Sequence, residues 1–212
     1  MKLNLFAALL LFSINLSAQH TFSILAIDTL TKEVGSAGAS CIDRWDVKGG
    51  ASIITEVFPA EGVIHTQAYH HKANQQLARK YLEKGFSAQQ IIDSLLANDV
   101  DDHPTYRQYG IIRLDENGQL DLAAFTGEDC MDYKGQIVGK NYIIIGNILS
   151  GREILEKMEQ GFLQTQGDLA DKLMGALESA KVPAADKRCA IEGVSSRSAF
   201  LRVAKPDDGD KA

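Results

Sequence analysis

The stretch Thr21-Phe-Ser-Ile-Leu-Ala-Ile-Asp28 is followed, after a short turn, by Val34-Gly-Ser-Ala-Gly-Ala-Ser40. The first stretch alternates in the two-residue period of a β-strand. The second stretch consists mainly of small residues and has the length of a strand that returns beside the first. We therefore predict a β-hairpin that begins with a hydroxyl residue, Thr21.

A secretory signal precedes this hairpin. Met1-Lys2 provides a short positive segment, residues 3–16 are almost entirely apolar, and Ser17-Ala18 supplies small residues for cleavage. The apolar run is shorter than the about 20 residues that span a bilayer. We predict a signal peptide at residues 1–18, export to the periplasm or the extracellular space, and no membrane span after signal removal. A retained amphipathic anchor is the alternative.

The rest of the chain has the length and composition of one globular domain. The net charge of the full sequence is −6, and no Lys/Arg patch is present, which argues against a nucleic-acid surface. No linker or internal repeat interrupts it. We predict a single domain at residues 19–205 and a flexible tail at residues 206–212.

Strands and helices are expected in blocks. Beyond the first hairpin, strands are predicted at Gly50–Val57, Gly62–Gln67, Tyr109–Asp115, Leu120–Phe125, Tyr142–Ile148 and Ser198–Ala204. Helical spacing is seen in four segments: around Ala73–Tyr81, after Ser87, and about Gly151–Gly161 and Leu169–Lys181. Blocks of this kind favour an α+β fold, here a four-layer αββα sandwich of two antiparallel sheets with a helix pair on each outer face.

Cysteine and histidine residues leave several alternatives open. Cys41, Cys130 and Cys189 permit three disulfide pairings, each with one free thiol. Histidines at positions 65, 70, 71 and 103 raise a metal hypothesis, but none lies in a recognised ligand motif. We predict that these histidines lie on the surface and that the acidic segment Asp99–Asp102 is a solvated loop. We expect neither a metal nor a cofactor.

Several segments together resemble one known family. They are Thr21-Phe-Ser-Ile-Leu-Ala, Gly35-Ser-Ala-Gly-Ala-Ser, His65-Thr-Gln-Ala, Arg107-Gln-Tyr-Gly-Ile, Phe125-Thr-Gly, Gly146-Asn-Ile-Leu, Ala185-Asp-Lys-Arg and Ser195-Ser-Arg-Ser-Ala-Phe-Leu-Arg. The chain is similar, from Thr21 to about Asp208, to the family catalogued as domain of unknown function 1028, in its secreted form. The resemblance implies the fold of N-terminal-nucleophile (Ntn) hydrolases and no established substrate.

In such hydrolases the free α-amino group is the base for the hydroxyl of the same residue, which makes Thr21 the candidate nucleophile. Intracellular relatives would begin Met-Thr-Phe, whereas Gln19-His20 precedes Thr21 here. Asn147 interrupts an apolar run at a strand end and is the candidate oxyanion donor. A Thr that only begins a strand, and an Asn that only pairs backbone, are the alternatives.

Further hydroxyl, amide and charged residues are candidates, and all of them except Ser23 are assigned to substrate binding. Ser40 is expected beside Thr21 across the hairpin, and Ser23 faces the same side as Thr21. Thr66-Gln67 and Arg107-Gln108 place polar side chains at strand ends. The residues 186–188 (Asp186, Lys187 and Arg188) form a charged cluster that could orient a nucleophile or hold a substrate carboxylate, to which Arg188 is suited. Ordinary strand hydroxyls and a solvated loop are the alternatives for these residues.

Two functions follow from this set. In the first, the protein is an Ntn-type amidohydrolase that acts on a peptide, a cell-wall fragment or an acylated small molecule. In the second, it is an exported binding module that recognises peptide or glycan fragments without a covalent step. A structural subunit that forms homo-oligomers through exposed faces is a weaker third alternative.

Overall fold

The computed structural model describes residues 21–209. The predicted signal peptide, Gln19-His20 and the last three residues of the predicted tail lie outside this range. No helix within it is long and apolar enough to cross a membrane.

The strands of the described part of the chain form two antiparallel sheets. The first contains β1 (Thr21–Ile27), β2 (Val34–Ser40), β7 (Gly135–Val138), β8 (Tyr142–Gly146) and β9 (Ser198–Ala204), in the order β7-β8-β1-β2-β9. The second contains β3 (Thr55–Phe58), β4 (Gly62–Gln67), β5 (Gln108–Leu114) and β6 (Leu120–Thr126), in the order of the chain. We call them the five-stranded and the four-stranded sheet.

Within residues 21–209, four α-helices pack in pairs. They are α1 (Lys72–Glu83), α2 (Ala88–Ala97), α3 (Glu153–Gln164) and α4 (Leu169–Ser179). Ser87 and Gln90 form a capping box at the start of α2, and Asp168 and Asp171 form another at the start of α4. These boxes satisfy N–H groups that a helix start leaves unpaired, so the predicted starts after Ser87 and at Leu169 are confirmed.

Three hydrophobic clusters hold these elements together. One joins α3 and α4 to the five-stranded sheet, through residues such as Phe22, Ile24 and Leu173. A second joins α1 and α2 to the four-stranded sheet. The third contains Leu25 and Ile112 and lies between the sheets. Because successive side chains of β1 point to opposite faces of the sheet, this strand contributes to two of the clusters. The structure confirms a mixed α+β sandwich.

Two segments differ from the sequence prediction. Gly50–Ile54 is a 3₁₀ helix rather than part of a strand, because Gly49 and Gly50 take positive φ angles of 102° and 53° that turn the chain. Strand β7 was not predicted. It has four residues at a sheet edge, and only alternate ones are partly buried, so its local pattern is weak.

Candidate functional site

Thr21 lies at one end of the central strand of the five-stranded sheet. It faces Ser40 in the last register position of the β1–β2 pair, where the hairpin predicts it. On the other side, the backbone N–H of Asn147 donates to the carbonyl oxygen of Thr21 at 3.2 Å. Thr21, Ser40 and Asn147 are all buried. Three of the predicted site residues are therefore neighbours at this end of the sheet.

The layer between the sheets becomes polar near Thr21. Further along the strands it is filled by the third hydrophobic cluster. Near Thr21 the same strand faces carry four buried polar side chains: Ser23, His65, Gln67 and Gln108. Because buried polar groups are costly unless they are hydrogen-bonded, their partners matter.

Two buried glutamines connect Thr21 with Asn147. Nε2 of Gln67 donates to the carbonyl oxygen of Thr21 at 3.2 Å and to Oε1 of Gln108 at 2.7 Å. Oε1 of Gln108 also accepts from Nδ2 of Asn147 at 3.2 Å. Both predicted ligand-binding amides thus contact protein groups.

His65 extends this network into the interior. Its Nδ1 lies 3.0 Å from Oγ of Ser23, which donates to Oε1 of Gln67 at 2.7 Å. Its Nε2 has no hydrogen-bond partner among the described residues. Burial lowers the pKa of His65 to about 3, so the ring is neutral at physiological pH.

The interpretation of His65 as a surface residue is therefore wrong. The available signal was the two-residue period of β4. His65 stands between Val63 and Gln67, both of which face the interlayer, and so its side chain points inward as well.

An ion pair holds the end of β2. Nε of Arg188 donates to Oδ1 of Asp186 at 3.1 Å, and Nη2 donates to Oδ2 at 2.7 Å. The same guanidinium donates to Oγ of Ser40 at 3.3 Å, and the N–H of Cys41 donates to Asp186 at 2.7 Å. Asp186 is completely buried. The predicted pair of Asp186 and Arg188 therefore lies beside Ser40, which faces Thr21 across the hairpin.

A disulfide fastens the same region. It joins Cys41, which follows Ser40, to Cys189, which follows Arg188. Of the three pairings that the sequence left open, the structure contains this one. Within residues 21–209, Cys130 is the free and buried thiol, and burial raises its pKa to about 11.

Two predicted site residues lie apart from Thr21. Thr66 points to the opposite side of β4 from Gln67, and its Oγ1 lies 3.0 Å from Nδ1 of His70. Arg107 is buried and bound to Asp99. The prediction of a solvated acidic loop is wrong for Asp99, because that ion pair draws its carboxylate into the interior.

Unusual backbone angles occur next to the network. Ala68 and Tyr69, which follow Gln67, have φ angles of 50° and 27°, and Ile148, which follows Asn147, has 51°. A positive φ is a genuine outlier for a β-branched residue. Hydrogen bonds hold Ile148 at both its N–H and its carbonyl oxygen. Strained positions of this kind concentrate at functional sites.

The histidines of the metal hypothesis do not converge. His70 is bound to Thr66, His71 caps α1 by accepting from the N–H of Ala73, and the ring of His103 lies against Tyr106. Within the part of the chain that the structure describes, no group of three or more His, Cys, Asp or Glu side chains is placed to hold a metal ion.

Comparisons with known proteins agree on one family. The model of a family described as "Family of unknown function (DUF1028)" matches residues 21–212. The crystal structure of protein SPO2555 from Silicibacter pomeroyi, described with the same family model, resembles the chain with a TM-score of 0.69 and 24% identity. The likeness covers 89% of this chain and 77% of that chain, and at this identity it concerns the fold alone. No curated protein matches the chain.

Proposed function

Since this chain belongs to the DUF1028 family, whose function is unknown, we propose its activity from its own residues: it is an exported amidohydrolase of the Ntn type. Its substrate is a peptide, a cell-wall fragment or an acylated small molecule, and Thr21 is the nucleophile. The convergence of buried polar groups on Thr21 carries this proposal.

The fold supports the Ntn assignment. Two antiparallel sheets share an apolar layer, and a helix pair covers the outer face of each. This is the arrangement expected of an αββα sandwich. In an Ntn hydrolase the nucleophile begins a strand of such a sandwich, as Thr21 begins β1.

The proposed reaction uses two groups of Thr21. Its Oγ attacks the carbonyl carbon of the substrate amide while its α-amine takes the hydroxyl proton. The resulting oxyanion accepts an N–H from Nδ2 of Asn147, whose other N–H is directed to Gln108. The intermediate collapses, the amine leaves with the proton from the ammonium group, and an ester remains on Thr21. Water then hydrolyses this ester, with the same amine as base.

Binding of the substrate is assigned to the ion pair beside Ser40. The guanidinium of Arg188 is 31% exposed in its side chain, while its partner Asp186 is buried. A guanidinium whose position is fixed by a buried carboxylate suits a substrate carboxylate, because its planar fork can donate two parallel hydrogen bonds. Nothing in the reaction calls for a cofactor.

The mechanism requires Thr21 to be the first residue of the mature protein. Removal of residues 1–18 by signal peptidase leaves Gln19-His20 in front of it. A second processing step must therefore remove these two residues after export, in the periplasm or outside the cell.

Two measurements on protein from its native host test the proposal. Mass spectrometry of the exported chain should give Thr21 as the first residue. A peptide epoxyketone should then add its whole mass once, because Oγ of Thr21 adds to the ketone and the α-amine opens the epoxide to close a ring. Thr21→Ala should abolish this adduct, and Thr31→Ala, in an exposed turn, should retain it.

A non-catalytic binding module with the same fold is the second candidate. The presence of Gln19-His20 favours it, because an uncleaved chain has no free amine at Thr21. A mature protein that begins at Gln19, resists the epoxyketone and still binds a peptide or glycan fragment would establish this alternative. A homo-oligomer is compatible with both candidates and is tested by light scattering.

A further inference from the structure

We propose that Gln67 and Gln108 are positioning residues: a hydrogen-bond chain of fixed direction orients the carbonyl group of Thr21 and the side-chain amide of Asn147. Its catalytic meaning rests on the proposed function, while its direction is measurable without any activity. Neither glutamine touches the substrate in this scheme.

The direction is set at Gln108. Its Nε2 lies 3.0 Å from the carbonyl oxygen of Gly135 and 3.0 Å from that of Gly146. Carbonyl oxygens only accept hydrogen bonds, so this end of the amide must be the NH₂ group. Oε1 of Gln108 is then an acceptor, and the two groups that approach it must both donate.

Those two donors are the amides of Gln67 and Asn147. Nε2 of Gln67 has a second acceptor, the carbonyl oxygen of Thr21, so two independent contacts assign its orientation. Both protons of this NH₂ group are therefore used. Oε1 of Gln67 in turn accepts the only proton of the Ser23 hydroxyl.

The tautomer of His65 follows from this order. Because the Ser23 proton is directed to Gln67, Oγ of Ser23 can only accept from the ring, and Nδ1 of His65 must carry the proton. A neutral ring then has a lone pair on Nε2. Nε2, the one buried side-chain nitrogen or oxygen in residues 21–209 without a hydrogen-bond partner, is therefore an unpaired acceptor rather than an unpaired N–H donor.

The consequence for the proposed reaction is local. The Thr21 carbonyl receives one bond from Gln67 and one from the N–H of Asn147, which restrains the residue that carries the nucleophile. Gln108 takes one N–H of the Asn147 amide and turns the other towards the oxyanion. Preorganised donors are more effective than mobile ones, because no reorganisation is needed during the reaction.

The first test measures the His65 tautomer in the wild-type protein. Long-range ¹H–¹⁵N spectra of histidine-labelled protein distinguish a protonated from an unprotonated ring nitrogen, and the His65→Gln variant identifies the signal. We expect a single neutral tautomer with the proton on Nδ1. A proton on Nε2, or an average of both tautomers, overturns the proposed hydrogen-bond chain. This test does not depend on whether variants of Gln67 or Gln108 fold.

The second test removes the glutamine contacts. Gln67→Met should shift the ¹³C resonance of the Thr21 carbonyl, and Gln108→Met should shift the side-chain amide resonances of Asn147. Gln75→Leu is the matched control, since Gln75 is a buried amide on α1 that donates to the carbonyl of Ile53. Shifts as large in the control as in the other variants overturn the positioning role.

The third test reads the rate of epoxyketone labelling. Both glutamine variants should lower the maximal labelling rate by on the order of 10- to 100-fold, with the half-saturating concentration unchanged, because misplacement affects chemistry more than binding. An unchanged maximal rate overturns the positioning role. If the wild-type protein is not labelled at all, the proposed function fails, and the two spectroscopic tests still decide on the chain.

Discussion

Arg107 and Asp99 form a buried ion pair with two points of contact. Nε of Arg107 lies 2.7 Å from Oδ2 of Asp99, and Nη2 lies 2.9 Å from Oδ1. Nδ2 of Asn74 donates to Oδ2 at 2.7 Å as well. The pair therefore joins the loop after α2 to the start of β5, and a helix residue supports it from behind.

Arg107→Met should lower the free energy of unfolding by about 3–5 kcal/mol, because it leaves the carboxylate of Asp99 buried without its cation. Equilibrium unfolding in urea measures this change. Arg79→Met is the control. Arg79 is about half exposed and pairs with Glu56, so its loss should cost about 1 kcal/mol or less. Equal losses in the two variants contradict the expectation.

The same pair predicts a loss of stability in acid. Burial opposes ionisation of Asp99, but hydrogen bonds from Arg107 and from the backbone N–H groups of His103 and Asp101, together with the charge of Arg107, outweigh it and hold the pKa of Asp99 below its usual range. Since the folded-state pKa lies below the unfolded value of about 3.9, the contribution is present above that value and is lost as the pH falls. Urea unfolding between about pH 3 and pH 7 should show a decline from about pH 5 downwards. This decline should be shallower in Arg107→Met, and identical pH profiles would count against the assignment.

Alkylation separates the three cysteines. Burial raises the pKa of Cys130 to about 11, and the other two are joined, so the folded protein should take up no iodoacetamide at pH 8. Denaturation without reductant should permit one addition, at Cys130, and denaturation with reductant should permit three. Peptide mapping identifies the sites. A first addition at Cys41 or Cys189 would refute the pairing.

Close packing of α3 and α4 is sensitive to one methyl group. A Cβ at Gly161 would lie 2.3 Å from the carbonyl oxygen of Gly175, which forces the two helices apart. Gly161→Ala should therefore destabilise the protein by about 1–3 kcal/mol, although alanine favours a helix. Thermal unfolding measures the effect. Gln160→Ala, on the exposed face of α3, should stay within about 0.5 kcal/mol of wild type.

Local patterns account for much of the fold. The alternation of Thr21–Asp28 and the small residues of Val34–Ser40 predict the hairpin, in which β1 ends one residue earlier, at Ile27, and β2 has the predicted bounds. Ser87 predicts a helix start that the structure confirms. In these cases the physical cause lies in neighbouring residues. The same holds for Ser40, whose position beside Thr21 follows from the register of a single hairpin.

Contacts between residues that are far apart in the sequence account for the features that the sequence did not predict. Asp99 stands in an acidic run that is typical of a solvent-exposed loop. Its burial is favourable only because Arg107 and Asn74, from other segments of the chain, contact its carboxylate. The choice of Cys189 as the partner of Cys41 depends on how the chain folds between two residues that are 148 positions apart. The contacts of Gln67 and Gln108 come from different strands, so sequence could place both at strand ends but not orient their amides.

The order of strands in the five-stranded sheet has a consequence for truncated chains. β1 lies in its centre, and the edge beside β2 is closed by β9, the last strand within residues 21–209. A chain that ends before Ser198 would leave β2 as an open edge made mainly of small residues, with nothing large or charged to block a foreign strand. Premature termination near the C-terminus should therefore give aggregation through strand addition rather than a slightly smaller soluble protein.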